Sequence, residues 1–99
     1  MRLVIRRAAK LDLNEARRRY EDRQPGLGQE FLSSVDAALT LVRDFPRIAP
    51  KVDPRVRRKK TERFPYGIFY TIDGETIRVL AVLHNARSSF WWKNRLENR

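Results

Sequence analysis

Two hydrophobic periods alternate along this chain, and together they predict its elements. The run Ile77–His84, IRVLAVLH, is nearly continuously apolar, the pattern of a strand covered on both faces. Just before it, RFPYGIFY (Arg63–Tyr70) opens an alternation that carries Ile68, Tyr70 and Ile72 on one side, and Asp73-Gly74 supplies a turn. The two runs read as a β-hairpin. At the other end, RLVIR (Arg2–Arg6) reads as a short first strand. From about Ala8 to Asp22 the period lengthens: Ala9, Leu13, Ala16 and Tyr20 form one stripe of an amphipathic helix, with Arg17, Arg18 and Arg19 on its exposed side. Pro25-Gly26 breaks the chain. A second helix spans about Gly28 to Phe45, burying Phe31, Val35, Ala38, Leu39 and Val42, and Pro46 ends it.

Between Pro46 and Pro54 the chain reads as a loop, followed by an extended segment from Arg55 to Arg63. A last helix is expected within Ser88–Arg99, with Phe90, Trp91 and Leu96 turned inward. Neither amphipathic helix can hide its stripe alone, so the two must form a helical hairpin that packs on the strands. The expected class is α+β, in the order β-α-α-β-β-β(-α), with the helical hairpin on a small, mainly antiparallel sheet. Ninety-nine residues make one domain, residues 1–99, able to bury roughly 60–70% of its unfolded surface.

Composition narrows the function. There is no cysteine and a single histidine, which argues against a thiolate or zinc centre. No phosphate-cradling glycine loop, G-x-S-x-G elbow or paired carboxylates at strand ends occur, and no cofactor is expected. The longest apolar run, Val79–Leu83, is far short of the ~20 residues of a spanning helix, and Leu3-Val4-Ile5 is too short for a signal peptide. A cytoplasmic protein with no membrane partner is expected.

Charge changes the picture most. The net charge is +10, and Arg47–Arg63 holds eight cations against two acids, a net +6. Such a field draws polyanions. The extended segment carrying Arg55, Arg57, Arg58, Lys59, Lys60 and Arg63 must keep at least one open face, because buried unpaired charge is costly. Its cations can track phosphates, receive an acidic partner segment, or simply protect an edge strand from aggregation. Beyond the apolar strand, His84 stands near Arg87. A histidine among arginines can act as general acid or base with fixed positive charge steadying the transition state. A lone histidine at a strand end is more often structural. Trp91-Trp92 can stack on bases, or anchor a terminal helix.

Three segments carry a family likeness: FLSSVDAALTLVRDFP, VRRKKTERFPYGIFY, and VLAVLHNAR with a tryptophan four residues on. In this order and spacing the chain resembles the RelE/ParE superfamily of type II toxin–antitoxin toxins over about Leu3–Trp92. The resemblance implies helices packed on a small antiparallel sheet, and a cognate antitoxin whose flexible, acidic segment covers the groove and sheet in a hetero-oligomer. Residues expected to meet it are Phe31, Val35, Arg58, Lys60, Tyr66 and Trp91. RelE-like members cleave mRNA on the ribosome; ParE-like members poison DNA gyrase. The ribonuclease pattern maps poorly here. Its strand arginine falls on Gly67, its arginine after the last strand on Asn85, and its C-terminal tyrosine near Trp91. The likeness is therefore closer to ParE, with gyrase as the expected target through Arg55, Arg57, Arg58, Lys59, Lys60, Arg63 and Arg87. A RelE-like endoribonuclease using Lys60, Arg63, His84 and Arg87 on ribosome-bound mRNA is the alternative, and a degenerate, non-toxic basic binding protein the second.

Overall fold

Two helices separated by a three-residue turn form the first layer: α1 (Arg7–Arg23) and α2 (Leu27–Asp44). A computed structural model describes residues 1–87 and 90–97, with backbone alone at 90, 91 and 97. The apolar stripe of α1 is built from small residues, and Ala9 and Ala16 are wholly buried, so the helix lies close on its neighbours. On α2 the buried face is Phe31, Val35, Ala38 and Val42. Gly28 lets the helices touch at the turn: a Cβ there would stand 2.8 Å from the Arg17 carbonyl oxygen.

The turn is held by one side chain. Gly26 has φ +89°, a left-handed conformation suited to glycine. The Glu21 carboxylate accepts the Gly26 and Gly28 N–H groups at 2.9 and 3.0 Å, satisfying donors at the start of α2 where negative charge is favoured. Those two bonds hold the Glu21 carboxyl below the ordinary glutamate value. A depressed folded pKa means stability that is present above the unfolded value and lost as pH falls through the folded one. Glu21→Gln should therefore lower the melting temperature at neutral pH, and the gap from wild type should close on acidification below the usual carboxylate range. A gap unchanged by pH would show that charge at this turn is irrelevant.

The second layer is a five-stranded sheet of order β1-β5-β4-β3-β2, with β1 (Arg2–Ile5), β2 (Lys51–Asp53), β3 (Val56–Lys60), β4 (Tyr66–Asp73) and β5 (Thr76–His84). Strand β1 runs parallel to β5; the other neighbours are antiparallel. The short edge strand β2 falls where the sequence reads as a loop. Three residues are too few to show a period, and the flanking Pro50 and Pro54 are tolerated at an edge. Strand β3 ends at Lys60, three residues before Arg63, sooner than the extended reading. The hairpin turns through Gly74 and Glu75, between paired Asp73 and Thr76, with Gly74 at φ +60° as the primed hairpin turns require.

Both faces of the sheet are covered. Tyr66, Ile68, Tyr70, Ile77, Val79 and Val82 pack under the helical hairpin. On the other face Val56, Phe69, Leu80, Ala81 and Leu83 meet Trp92 and Leu96 of α3 (Phe90–Glu97). Strand β4 is thus buried continuously from Tyr66 to Thr71, where alternation alone implied one solvated face. Trp92 is the tryptophan that anchors α3, 1% exposed and stacked on Phe69 at 6.3 Å. The expected inward placement of Phe90 and Trp91 lies outside the described side chains.

A bulge and an ion pair finish β5. Phe69 pairs with Ala81 and Tyr70 with Val79, leaving Leu80 as the extra residue, and Leu80 and Ala81 both turn toward α3. Pairing with β1 ends at Val79, so the rest of β5 is an edge. There the Asp12 carboxylate accepts the Val82 N–H at 2.9 Å. Arg95 closes on the same carboxylate through both terminal nitrogens, one at 3.0 Å, and donates to the Leu80 carbonyl at 3.4 Å. One salt bridge thereby joins α1, α3 and the open edge.

Candidate functional site

Strand alternation divides the basic segment between two faces of the sheet. Arg57 pairs with Tyr70 and Lys59 with Ile68, which places both on the helical-hairpin side. Arg58 pairs with Phe69, and Lys60 with Gly67, on the α3 side. Arg57 is already engaged: it donates to the Ala49 and Arg47 carbonyls at 2.7 and 3.2 Å and ties the α2–β2 loop to the sheet. Lys59 donates to the Lys60 carbonyl at 3.3 Å, and Arg55 sits exposed at the β2–β3 turn. The run that looks like one surface in sequence is a structural staple and at least two separate cationic patches.

A cleft of about 620 Å³ opens where α1 meets the ends of β4 and β5. Arg19, Tyr20 and Arg23 line it from α1; Arg63, Phe64 and Tyr66 from the β3–β4 connection; His84 and Arg87 from the end of β5. The connection is built by local hydrogen bonds. The Thr61 hydroxyl donates to the Phe64 carbonyl at 2.8 Å, and Ser34 reaches from α2 to the Glu62 carbonyl at 2.5 Å. At its apex Arg63 has φ +71°, the one non-glycine positive φ among the described residues. Such a conformation costs energy and persists only where the surroundings impose it. Here the Arg63 guanidinium pairs with Glu30 at 2.7 Å and lies 5.1 Å from the centre of the Phe64 ring.

Aromatic rings make the floor. Tyr20, Phe31, Phe64 and Tyr66 contact one another with centroids 4.9–6.1 Å apart. Burial pushes the Tyr20 phenol above its ordinary value, although Arg23 and Arg19 pull it back. Arg19 donates to the Tyr66 hydroxyl at 3.2 Å and pairs with Glu15 at 3.4 Å. His84 packs edge-on to Tyr66 at 5.4 Å, and its Nδ1 accepts the Ala86 N–H at 2.9 Å. Four guanidiniums, two of them offset by glutamates, thus surround one imidazole. The arrangement suits a polyanion. Among the described residues no group of three His, Cys, Asp or Glu is placed to hold a metal ion.

The opposite face of the same sheet end carries a different feature. At Gly67 a Cβ would lie 3.0 Å from Cγ and Cδ of Arg58 and 3.6 Å from the Asn85 side-chain oxygen. The stem of Arg58 therefore fills the slot that glycine leaves, and its Nε is buried with no partner among the described residues. Gly67 and Asn85, two of the three departures from the ribonuclease pattern, are neighbours here, with the stem of Arg58 beside them.

Of the residues singled out in the sequence, the fold gathers Arg63, Tyr66, His84 and Arg87 into the cleft. It puts Arg58 and Lys60 behind it and Arg55 at the far end of the sheet. Phe31 and Val35, expected to meet a partner, are 0% and 2% exposed; they support the cleft from within and have no surface to offer. The Trp91 side chain lies outside the described residues. Sequence reasoning missed Arg19 and Arg23: one helical turn apart beside Tyr20, they look like an ordinary solvated face until α1 is docked on the sheet.

Comparison with known proteins agrees with this architecture. A chain of the chromosomal ParDE toxin–antitoxin system from P. aeruginosa superposes with a TM-score of 0.76 at 20% identity, over 85% of this chain and 95% of that one. The isolated RelE toxin of E. coli superposes with a TM-score of 0.64 at 17% identity, over 99% and 98% of the two chains. These likenesses establish a shared fold. No curated protein sequence matches significantly. A family model for the ParE toxin of the type II toxin–antitoxin system parDE matches residues 3–88, nearly the whole of both layers, and the chain therefore belongs to the ParE toxin family.

Proposed function

We propose that this toxin arrests growth by engaging DNA gyrase, and that a cognate acidic antitoxin neutralises it in the cytoplasm. The observation that carries the gyrase reading is the Gly67–Arg58–Asn85 arrangement. Where the ribonuclease pattern of the superfamily places two arginines, this chain has a glycine slot filled by a neighbour's aliphatic stem and an amide. Neither Gly67 nor Asn85 brings positive charge to a phosphorane. The antitoxin reading rests on membership of a type II toxin family and on the net charge of +10.

Induction of the chain alone should block replication, trigger a DNA-damage response and leave mRNA intact. Purified protein should trap cleaved DNA with gyrase. Unaltered gyrase at micromolar toxin rejects the target. One observation favours ribonuclease chemistry instead, the placing of His84 in a cleft with Arg63 and Arg87. In that case primer extension on translated mRNA shows cuts in the ribosomal A site that disappear in His84→Ala.

A further inference from the structure

A second cleft, of about 360 Å³, lies at the opposite end of the sheet from His84. The β2–β3 turn, the β4–β5 turn and Leu96 of α3 converge there. Arg47, Lys51 and Arg55 stand around it, all exposed, and none pairs with a carboxylate among the described residues. The one acid in the lining among the described residues, Asp73, is paired with Arg78 at 3.2 Å. Independently of these charges, Thr71 lines the cleft with 3% of its surface exposed, and its buried hydroxyl has no hydrogen-bond partner among the described residues. Buried hydroxyls nearly always find one.

We propose that this cleft is a phosphate-binding site, distinct from the cleft around His84. Three exposed cations, beside Arg57 held by the Ala49 and Arg47 carbonyls, and a hydroxyl donor match a group with several acceptor oxygens and up to two charges better than a single carboxylate, which offers two oxygens and one charge. Among the described residues the remaining walls include Ile72, Gly74 and Pro54 and no aromatic ring, so they offer no surface on which a base can stack. Recognition is of the phosphate and not of the base. The phosphate comes from a nucleic-acid backbone, a mononucleotide or the free ion, and binding is independent of base identity. This inference stands apart from the gyrase proposal, since it concerns the purified protein and a different end of the sheet.

The test is a titration of isotopically labelled protein, followed by amide and arginine side-chain resonances. The probes are inorganic phosphate, a nucleoside 5′-monophosphate and a short single-stranded oligonucleotide. Saturable shifts should appear at 47–57 and 71–74, and the probe that binds most tightly identifies the source. Thr71→Val, which keeps the shape and removes an unpartnered hydroxyl, should fold at least as stably as wild type and bind about tenfold more weakly. Thr71→Ser should retain binding, and Lys51→Ala with Arg55→Ala should lose tenfold or more. Shifts that never saturate, affinities unchanged in Thr71→Val, or tighter saturation of the same residues by an acidic peptide would each overturn the proposal.

Discussion

Phe31→Ala should cost about 3–5 kcal/mol of folding stability, among the largest effects expected of a single truncation here. Phe31 is fully buried and stands at the centre of the aromatic floor, with ring centroids 5.3 Å from Tyr20, 5.5 Å from Phe64 and 5.0 Å from Tyr66. Removing the ring leaves a cavity where α2 meets β4. The three remaining rings, which line the cleft, lose the contact that fixes their tilt. Chemical denaturation read by far-ultraviolet circular dichroism gives the stability change. Phe31→Leu, which keeps most of the apolar volume, should recover more than half of the loss. If Phe31→Ala unfolds at the wild-type midpoint while antitoxin binding disappears, Phe31 is a contact residue after all and its burial here misleads.

The second large effect is expected at Asp12. Its carboxylate serves three groups at once: the Val82 N–H and both terminal nitrogens of Arg95. The pair is only partly exposed, 13% for the Asp12 side chain and 24% for Arg95. Truncating one partner of a buried pair leaves the other charge uncompensated, typically at 3–5 kcal/mol, and the residual exposure here argues for the lower end. Asp12→Ala should therefore cost about 3 kcal/mol. It also strips the acceptor from a β5 edge amide, so exchange of the Val82 amide should accelerate beyond the global loss. Asp12→Asn keeps an acceptor for Val82 but not the charge for Arg95, and should fall between wild type and alanine. Equal stability of all three proteins would show that the edge is closed by other means.

These two positions illustrate what a linear reading can and cannot see. Phe31 belongs to a 3.6-residue stripe, so its inward face follows from the spacing of Phe31, Val35, Ala38 and Val42. Asp12 and Arg95 are 83 residues apart and each looks like a solvated charge. Nothing local marks them. The same contrast runs through the cleft. Arg63, His84 and Arg87 are visible as polar residues beside the hairpin, yet Arg19 and Arg23 join them only because α1 is docked where β5 ends. Short range also has limits: β2 has three residues, and its pairing depends on β3. Likewise, burial of Phe69 and Thr71 depends on cover from across the sheet rather than on the pattern within β4.

By itself the sequence determined the two helices, the β4–β5 hairpin, the α+β class and the superfamily. All of these rest on local periodicity, turn chemistry and residue order, which need no knowledge of distant neighbours. Tertiary structure alone decided which cations share a surface. A strand turns successive side chains to opposite faces, so Arg57 and Arg58 were parted although adjacent, while Arg19, Arg63 and Arg87 were brought together from three elements. It also decided what Gly67 does. In sequence the glycine is a missing arginine; in the fold it is the slot that holds the stem of Arg58, because a Cβ there would crowd Arg58 Cγ and Cδ at 3.0 Å and push that side chain aside.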